Sequence, residues 1–377
     1  MEFNASRLKI ARKRRKLSCK GLADRLHVTS HTISRWEGGL AKGPSPEVIQ
    51  MLSRVLEFPE KFFLGGDIEI PESQRVSFRN QASMSSSIRE AALAAVAVAV
   101  GFIVSDWFSE RFTLPEPSVP NLGDVYDAEH AARVLRAHWH IGERPISNLV
   151  HLLESKGVRV FSLAENTVEL DACSLWREGR PYIFLNSCKT GEQVRFDAAH
   201  ELGHLVLHQD GGVEGRLAEE QANAFALSFL MPKCDVLAQC DLYMTLSRYV
   251  QMKSRWLVPT AALIHRVYRL GLMSDMIYHT IVVLLAKNYG IKEPFPIDRE
   301  RSIVWEKVLR IMWSRKLSLS KIAARIGIPE KELEDLLFFE GRDVQSKVMN
   351  HDATKLKLVC PLKNTRFVRP RVIPERS

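Results

Sequence analysis

His200 and His204, with Glu201 between them, stand four residues apart in His200-Glu201-Leu202-Gly203-His204, and this spacing constrains the local fold more than any other feature of the chain. Successive residues of an α-helix turn by about 100°, so positions four apart lie about 40° from each other and roughly 6 Å along the axis. Both imidazoles can then reach one ion. Glu201 falls on a neighbouring part of the same face, where its carboxylate can take a proton from a water without entering the coordination sphere. The plain alternative is a polar helix face; three matched positions arise by chance in a chain this long on the order of one time in a hundred, which favours the metal reading.

A zinc held by two histidines needs a third protein ligand, and a catalytic zinc keeps a fourth position open. The run from Leu217 to Leu227, free of Gly and Pro and rich in Ala and Leu, reads as a second helix. Glu219 and Asn223 share one of its faces, so Glu219 is the expected third ligand and Asn223 the expected hydrogen-bond partner of a ligating histidine. Glu220 points about 100° away. His208 continues the histidine row but lies about 12 Å along the axis from His200, so a supporting or packing role is expected of it. Together these residues point to zinc-dependent peptide hydrolysis; manganese is the other ion this donor set accepts.

The first sixty residues carry a different chemistry. Arg7 to Lys16 reads as a basic helix whose Leu8, Ile10 and Ala11 face a core. Ser18 can cap a short helix holding Leu22, Ala23 and Leu26, a turn follows at His27-Val28, and Thr29 can cap a second helix carrying Ile33 and Trp36 up to Gly38-Gly39. In a helix-turn-helix the amino-terminal end of that second helix enters the major groove. Ser30, His31, Thr32 and Arg35 are therefore the expected base-side residues. Arg35 suits a bidentate contact to guanine, Ser30 and Thr32 suit bases or phosphates, and Lys20 suits phosphate. Leu22, Ala23, Ile33 and Trp36 are expected in the core. Residues 1–61 hold thirteen Lys or Arg against six Asp or Glu, a formal +7, which fits a double-stranded DNA operator as partner.

The remaining charge is uneven. Residues 62–340 hold 31 basic against 35 acidic residues and residues 341–377 hold nine against three, so the net +9 sits at the two ends. At 377 residues and 46% hydrophobic content, two or three domains with their own cores are expected. The six cysteines, Cys19, Cys173, Cys188, Cys234, Cys240 and Cys360, include no close pair and are expected to be reduced. The polar, basic start resembles no secretory signal, and a cytoplasmic location is expected. Ala91 to Val104 is apolar throughout but shorter than the roughly 18 residues a membrane span requires, so a buried or interdomain helix, from about Ser87 to Phe112, is expected instead. Its small side chains suit intrachain packing, with self-association into a homodimer as the alternative. The expected class is mainly α and multidomain: an all-α helix-turn-helix domain (1–64), a linker with an apolar helix (65–124), an α+β zincin-like metallopeptidase domain (125–235), a helical C-terminal region (236–340) and a basic tail (341–377).

The stretch from Arg195 to His208 resembles the ImmA/IrrE family of bacterial metallo-endopeptidases. Glu219 to Ala226, running on to Phe229-Leu230-Met231-Pro232, is similar to the family's second motif, whose glutamate supplies the third metal ligand. Gly179 to Asn186 is similar to the strand before the metal helix, which in gluzincin-like sites borders the cleft and offers its edge to an extended substrate; a plain core strand is the equal alternative. Residues 5–64 resemble the XRE, or Cro and phage-repressor, DNA-binding domain, with His27 standing where that family usually has glycine; histidine tolerates a left-handed backbone better than bulky residues do. Trp256 to Leu272 resembles long, regulator-type members. Leu319 to Pro329 echoes the helix-turn-helix, but Glu330, Glu332, Glu334 and Asp335 make its second helix acidic, so a packing or protein-binding module is expected. The resemblance covers most of residues 5–340. It implies a zinc endopeptidase that cleaves a repressor-type protein, and it leaves two alternatives: a non-enzymatic repressor or antitoxin whose peptidase-like domain only binds a partner, and cleavage of the chain itself. For the oxyanion, Tyr182 and His208 are the candidates, each also read as structural.

Overall fold

Capping residues place the first helices where the sequence puts them. The computed structural model describes residues 2–39, 43–73, 76–79, 84–103, 111–123, 127–163, 170–209, 215–241, 243–290 and 292–337. Helix α1 (Ala5–Arg14) starts at Asn4, whose side chain accepts from the Ser6 and Arg7 amides. Ser18 caps α2 (Cys19–Leu26) by accepting from the Gly21 amide, and Thr29 caps α3 (Ser30–Glu37) by accepting from the Thr32 amide. His27 between them takes φ 56°, the left-handed conformation this tight turn demands. Leu8, Ile10, Ala11, Leu22, Ala23 and Ile33 are buried. Trp36 departs from expectation: it is only half-buried and packs along the rim of that core. Arg12 fastens α1 to the end of α3, donating to both oxygens of Glu37 at 2.6 and 2.7 Å. Helix α4 (Pro46–Leu56) and a 3₁₀ turn (Glu60–Leu64) complete the bundle.

A four-stranded sheet occupies the middle of the chain, with strands β1 (Ser77–Phe78), β2 (Arg159–Leu163), β3 (Ala172–Arg177) and β4 (Arg180–Asn186) in the order β1-β3-β4-β2. Strands β2 and β4 are parallel; β3 is antiparallel to β4, and β1 to β3. The two-residue periodicity of strands sends Phe161, Cys173, Leu175, Tyr182 and Phe184 to one face and Val160, Ala172, Ile183 and Leu185 to the other. The first face shares its core with α1–α4 and with α5 (Ser86–Val98), whose Ala91, Ala92 and residues 94–98 are fully buried. The apolar run is thus an intrachain core helix. It continues as a π-type turn (Ala99–Ile103), residues 104–110 lie outside the described residues, and Phe112 is no longer helical, so the helix does not extend to Phe112 as expected. Among the described residues no helix is long and apolar enough to cross a membrane.

The second face packs on helices α6 (Ala128–His138), α7 (Leu149–Ser155), α8 (Gly191–Leu207) and α9 (Gly215–Leu230), followed by α10 (Lys233–Gln239), α11 (Leu246–Trp256), α12 (Thr260–Arg269) and α13 (Asp275–Tyr289). Trp256, Leu263, Ile264 and Val267 are fully buried in the same core as α8. Lys253 of α11 is itself buried and donates to Glu192 at the start of α8 at 2.6 Å.

The last three helices, α14 (Ile303–Ser314), α15 (Leu319–Ile326) and α16 (Glu330–Leu336), repeat the first three at the backbone level. Ser318 caps α15 as Ser18 caps α2, Gly327 turns left-handed as His27 does, and Lys316 and Lys16 share a positive φ. The acidic α16 does not face solvent with its whole surface: Glu332 is buried and pairs with Arg14, with Arg15 at 3.5 Å. This repeat is therefore a packing module against α1. Removing one partner of a buried pair leaves the other charge poorly compensated, so Glu332→Ala should cost about 3 kcal/mol of unfolding free energy in urea melts, whereas truncating exposed Glu330 should cost less than about 0.5 kcal/mol.

Candidate metal centre

Helix α8 is capped by Thr190, which accepts from the Gln193 amide, and is buried along its whole length between the sheet and α9. Such close packing needs a gap in the side-chain surface, and Gly203 provides it. A Cβ on Gly203 would lie 3.1 Å from Ala222 Cα and 3.2 Å from Phe225 Cδ1. The approach carries Glu219 of α9 over the two histidines of α8.

Three donor atoms converge there. His200 Nε2 and His204 Nε2 lie 3.1 Å apart, and the Glu219 oxygens lie 3.3 Å from each. Hydrogen-bond partners fix which nitrogens carry protons. His200 Nδ1 donates to Asn223 Oδ1 at 3.1 Å. His208 Nε2 donates to Gln221 Oε1 at 2.8 Å, which leaves its Nδ1 to accept from His204 Nδ1 at 3.0 Å. Both Nε2 atoms are then bare lone pairs aimed at each other and at a carboxylate. Burial reinforces this for His200, pushing its pKa down to about 4. Lone pairs and negative charge packed this tightly repel unless a cation lies among them, and two imidazoles with one carboxylate fit a divalent metal. Glu220 turns away and pairs with Arg216, as its position on the helix predicts.

Glu201 lies beside this cluster, fully buried. Its Oε2 accepts from the Ser174 hydroxyl at 2.5 Å, while Oε1 has no hydrogen-bond partner among the described residues. Burial raises its pKa to about 7. Ser174 and Gln221 were not anticipated from sequence. A polar residue inside the buried part of β3, on the face that alternation turns toward α8, is the signal that identifies Ser174. Gln221 has no comparable signal, because its role follows from where His208 ends up.

Of the two readings of β4, the core strand is the one the structure shows: β4 pairs with β2 on one side and β3 on the other, so it has no edge to offer a substrate. Tyr182 belongs to the opposite face of the sheet, packed with Phe161 and Phe184, and does not face the cluster. His208 is committed to His204 and Gln221. On the amino-terminal domain, Lys20, Ser30, His31 and Arg35 are exposed, whereas the Thr32 hydroxyl is shared with Thr29 at 2.8 Å.

Comparison with known families gives two matches. Residues 5–61 match a family model described as a helix-turn-helix domain, and residues 153–268 match a peptidase family model described as the IrrE N-terminal-like domain. The chain thus joins a segment similar to a helix-turn-helix domain to one similar to the IrrE N-terminal-like domain, and the second match spans α8, α9 and the whole converging cluster. No curated protein matches the chain. The buried Glu201 carboxyl makes its own pH signature. Because its folded-state pKa is raised from 4.5 to about 7, stability is lost as pH rises through that window and the loss is complete above it. In the metal-free protein, Glu201→Gln should therefore gain nothing at pH 4 and on the order of 3 kcal/mol at pH 8 relative to wild type, read from denaturant melts.

Proposed function

We propose that this chain is a DNA-binding transcriptional regulator whose second domain is a zinc-dependent endopeptidase acting on a protein of repressor type. The observation that carries the reading is the convergence of three unprotonated donors beside a buried carboxyl with one unsatisfied oxygen. His200, His204 and Glu219 would hold the metal, with Asn223 and His208 fixing the two rings. When bound, zinc supplies Lewis acidity toward a carbonyl and makes water easier to deprotonate. Glu201 is the general base: its Oε1, free of any hydrogen-bond partner among the described residues, would accept a proton from water and return it to the leaving amine. Ser174 holds one of its oxygens and so aims the other. A buried carboxyl with one oxygen left unpaired costs stability, which favours a chemical role over a domain that only binds a partner.

The amino-terminal domain reads an operator through α3. Ser30, His31 and Arg35 are exposed toward its amino-terminal side and outer face, with Lys20 exposed on α2. Thr32 contributes through the helix cap.

Two measurements test these roles. Wild type and Glu201→Gln should each carry about one zinc when purified without chelators, and only wild type should fragment a co-expressed repressor-type protein encoded nearby; a metal-free protein under those conditions would sink the peptidase reading. Once an operator has been selected from random duplexes, Arg35→Ala should weaken binding to it roughly 10- to 100-fold and relax preference at one base pair. Lys20→Ala should instead weaken all sequences alike and reduce the salt slope by about one, as seen in fluorescence anisotropy titrations.

A further inference from the structure

Strand β3 has two edges. One is paired with β4 along its full length from Ala172 to Arg177. The other runs past the metal centre, since Ser174 on β3 is the residue whose hydroxyl reaches Glu201. An extended polypeptide that brings a carbonyl up to Glu201 needs main-chain partners, and this second edge is the one available in that position. It is already taken: Ser77 is the register partner of Ser174, Phe78 of Cys173, and the Arg79 amide donates to Ala172 O at 3.1 Å. The occupying strand comes from the connection after the helix-turn-helix domain and lies outside the residues that match the peptidase family.

We infer that the segment 76–79 is an intramolecular occupant of the substrate-docking edge, so that an extended protein segment gains the metal centre only when this strand is displaced. The inference rests on the peptidase reading above. A ladder of two residues is weak by itself. Side chains hold it in place: Val76 and Phe78 are buried in the core shared with the helix-turn-helix domain, and Arg79 pairs with Asp197, one turn before His200. Arg79 also lies 3.9 Å from Asp171 and over the Phe196 ring at 5.1 Å. Both aspartates keep Lys189 as a second partner, so the Arg79 contact can break without stranding a buried charge. Because Val76 and Phe78 are anchored in the amino-terminal core, a partner that shifts that domain has a mechanical route to this edge.

Cys173 reports on the strand without any need for activity. It is a free thiol, fully buried and opposite Phe78, with burial holding its pKa well above the ordinary thiol value. In full-length Arg79→Ala, iodoacetamide labelling of Cys173 resolved by mass spectrometry should accelerate roughly tenfold or more, while buried Cys240 stays at its wild-type rate. Arg79→Lys should return Cys173 toward the wild-type rate. A fluorescent peptide with the sequence of residues 73–82 should bind the Arg79→Ala protein and not wild type. Equal Cys173 rates in the two proteins, or a peptide that binds both alike or neither, would overturn the inference. With zinc loaded, β-casein hydrolysis should rise in Arg79→Ala and vanish when Glu201→Gln is added. Opening of Cys173 and peptide binding without Glu201-dependent hydrolysis would leave the edge occupancy standing and reject the peptidase reading instead.

Discussion

The close approach of α9 to α8 at Gly203 is the contact on which the candidate site depends. Two histidines on one helix can point the same way in many proteins, but the third donor must arrive from another element. Here it arrives because no side chain at position 203 holds the helices apart. The same approach buries the rings, and burial keeps His200 neutral with its lone pair free. The cost of burying so many polar atoms is met by a chain of hydrogen bonds, His204 to His208 to Gln221 and His200 to Asn223, in which every interior proton has a partner. Beside the donor cluster, Glu201 Oε1 is left without a hydrogen-bond partner among the described residues.

The sheet joins this site to the rest of the molecule through its alternation. On β4, Ile183 and Leu185 pack toward α8, while Tyr182 and Phe184 pack into the core that also holds α1, α5 and the three terminal helices. Trp305 of α14 donates to Val160 O on β2 at 2.8 Å, and Glu154 of α7 accepts from the amides of Ile303 and Val304 at the start of α14. Close-packed interiors pass displacement on instead of absorbing it. The helix-turn-helix domain and the helix that carries His200 and His204 thus lie on opposite faces of one thin, continuous layer.

How much of this was legible in the sequence depends on the range of the interaction. Caps, the left-handed turn at His27, the shared face of Glu219 and Asn223 and the turning away of Glu220 follow from helical spacing, which is local, and each has its counterpart in the structure: Glu219 and Asn223 both meet His200, and Glu220 pairs with Arg216. The apolar run was read as buried because it was too short to span a bilayer, and burial is what it shows. Whether β4 is an edge or a core strand stays open in the sequence because strand order is a long-range property: a strand reads the same whether it is central or peripheral. The choice between a structural and an oxyanion role for Tyr182 stays open for a related reason, since alternation says that neighbours face opposite ways but not which face meets α8; the structure shows the structural role. Ser174 was missed because its partner, Glu201, is 27 residues away in sequence and the pairing exists only once β3 packs on α8.

Charge was legible as a total and misleading as a map. The +7 of the amino-terminal domain suggests a uniformly basic, DNA-seeking surface, yet much of the charge on α1 is directed inward. Arg12 is spent on Glu37, Lys13 faces Glu90 at 3.1 Å, and Arg14 and Arg15 meet Glu332 of the last helix. Some of the acidity that argued against DNA binding by α16, and some of the basicity that argued for it by α1, therefore belong to a single internal contact. Counterion release counts phosphates contacted, not formal charge. The exposed cations around α2 and α3, among them Lys20, Arg25 and Arg35, are the ones left to meet phosphate on the proposed reading, while Arg14 and Arg15 tie the start of the chain to the C-terminal module.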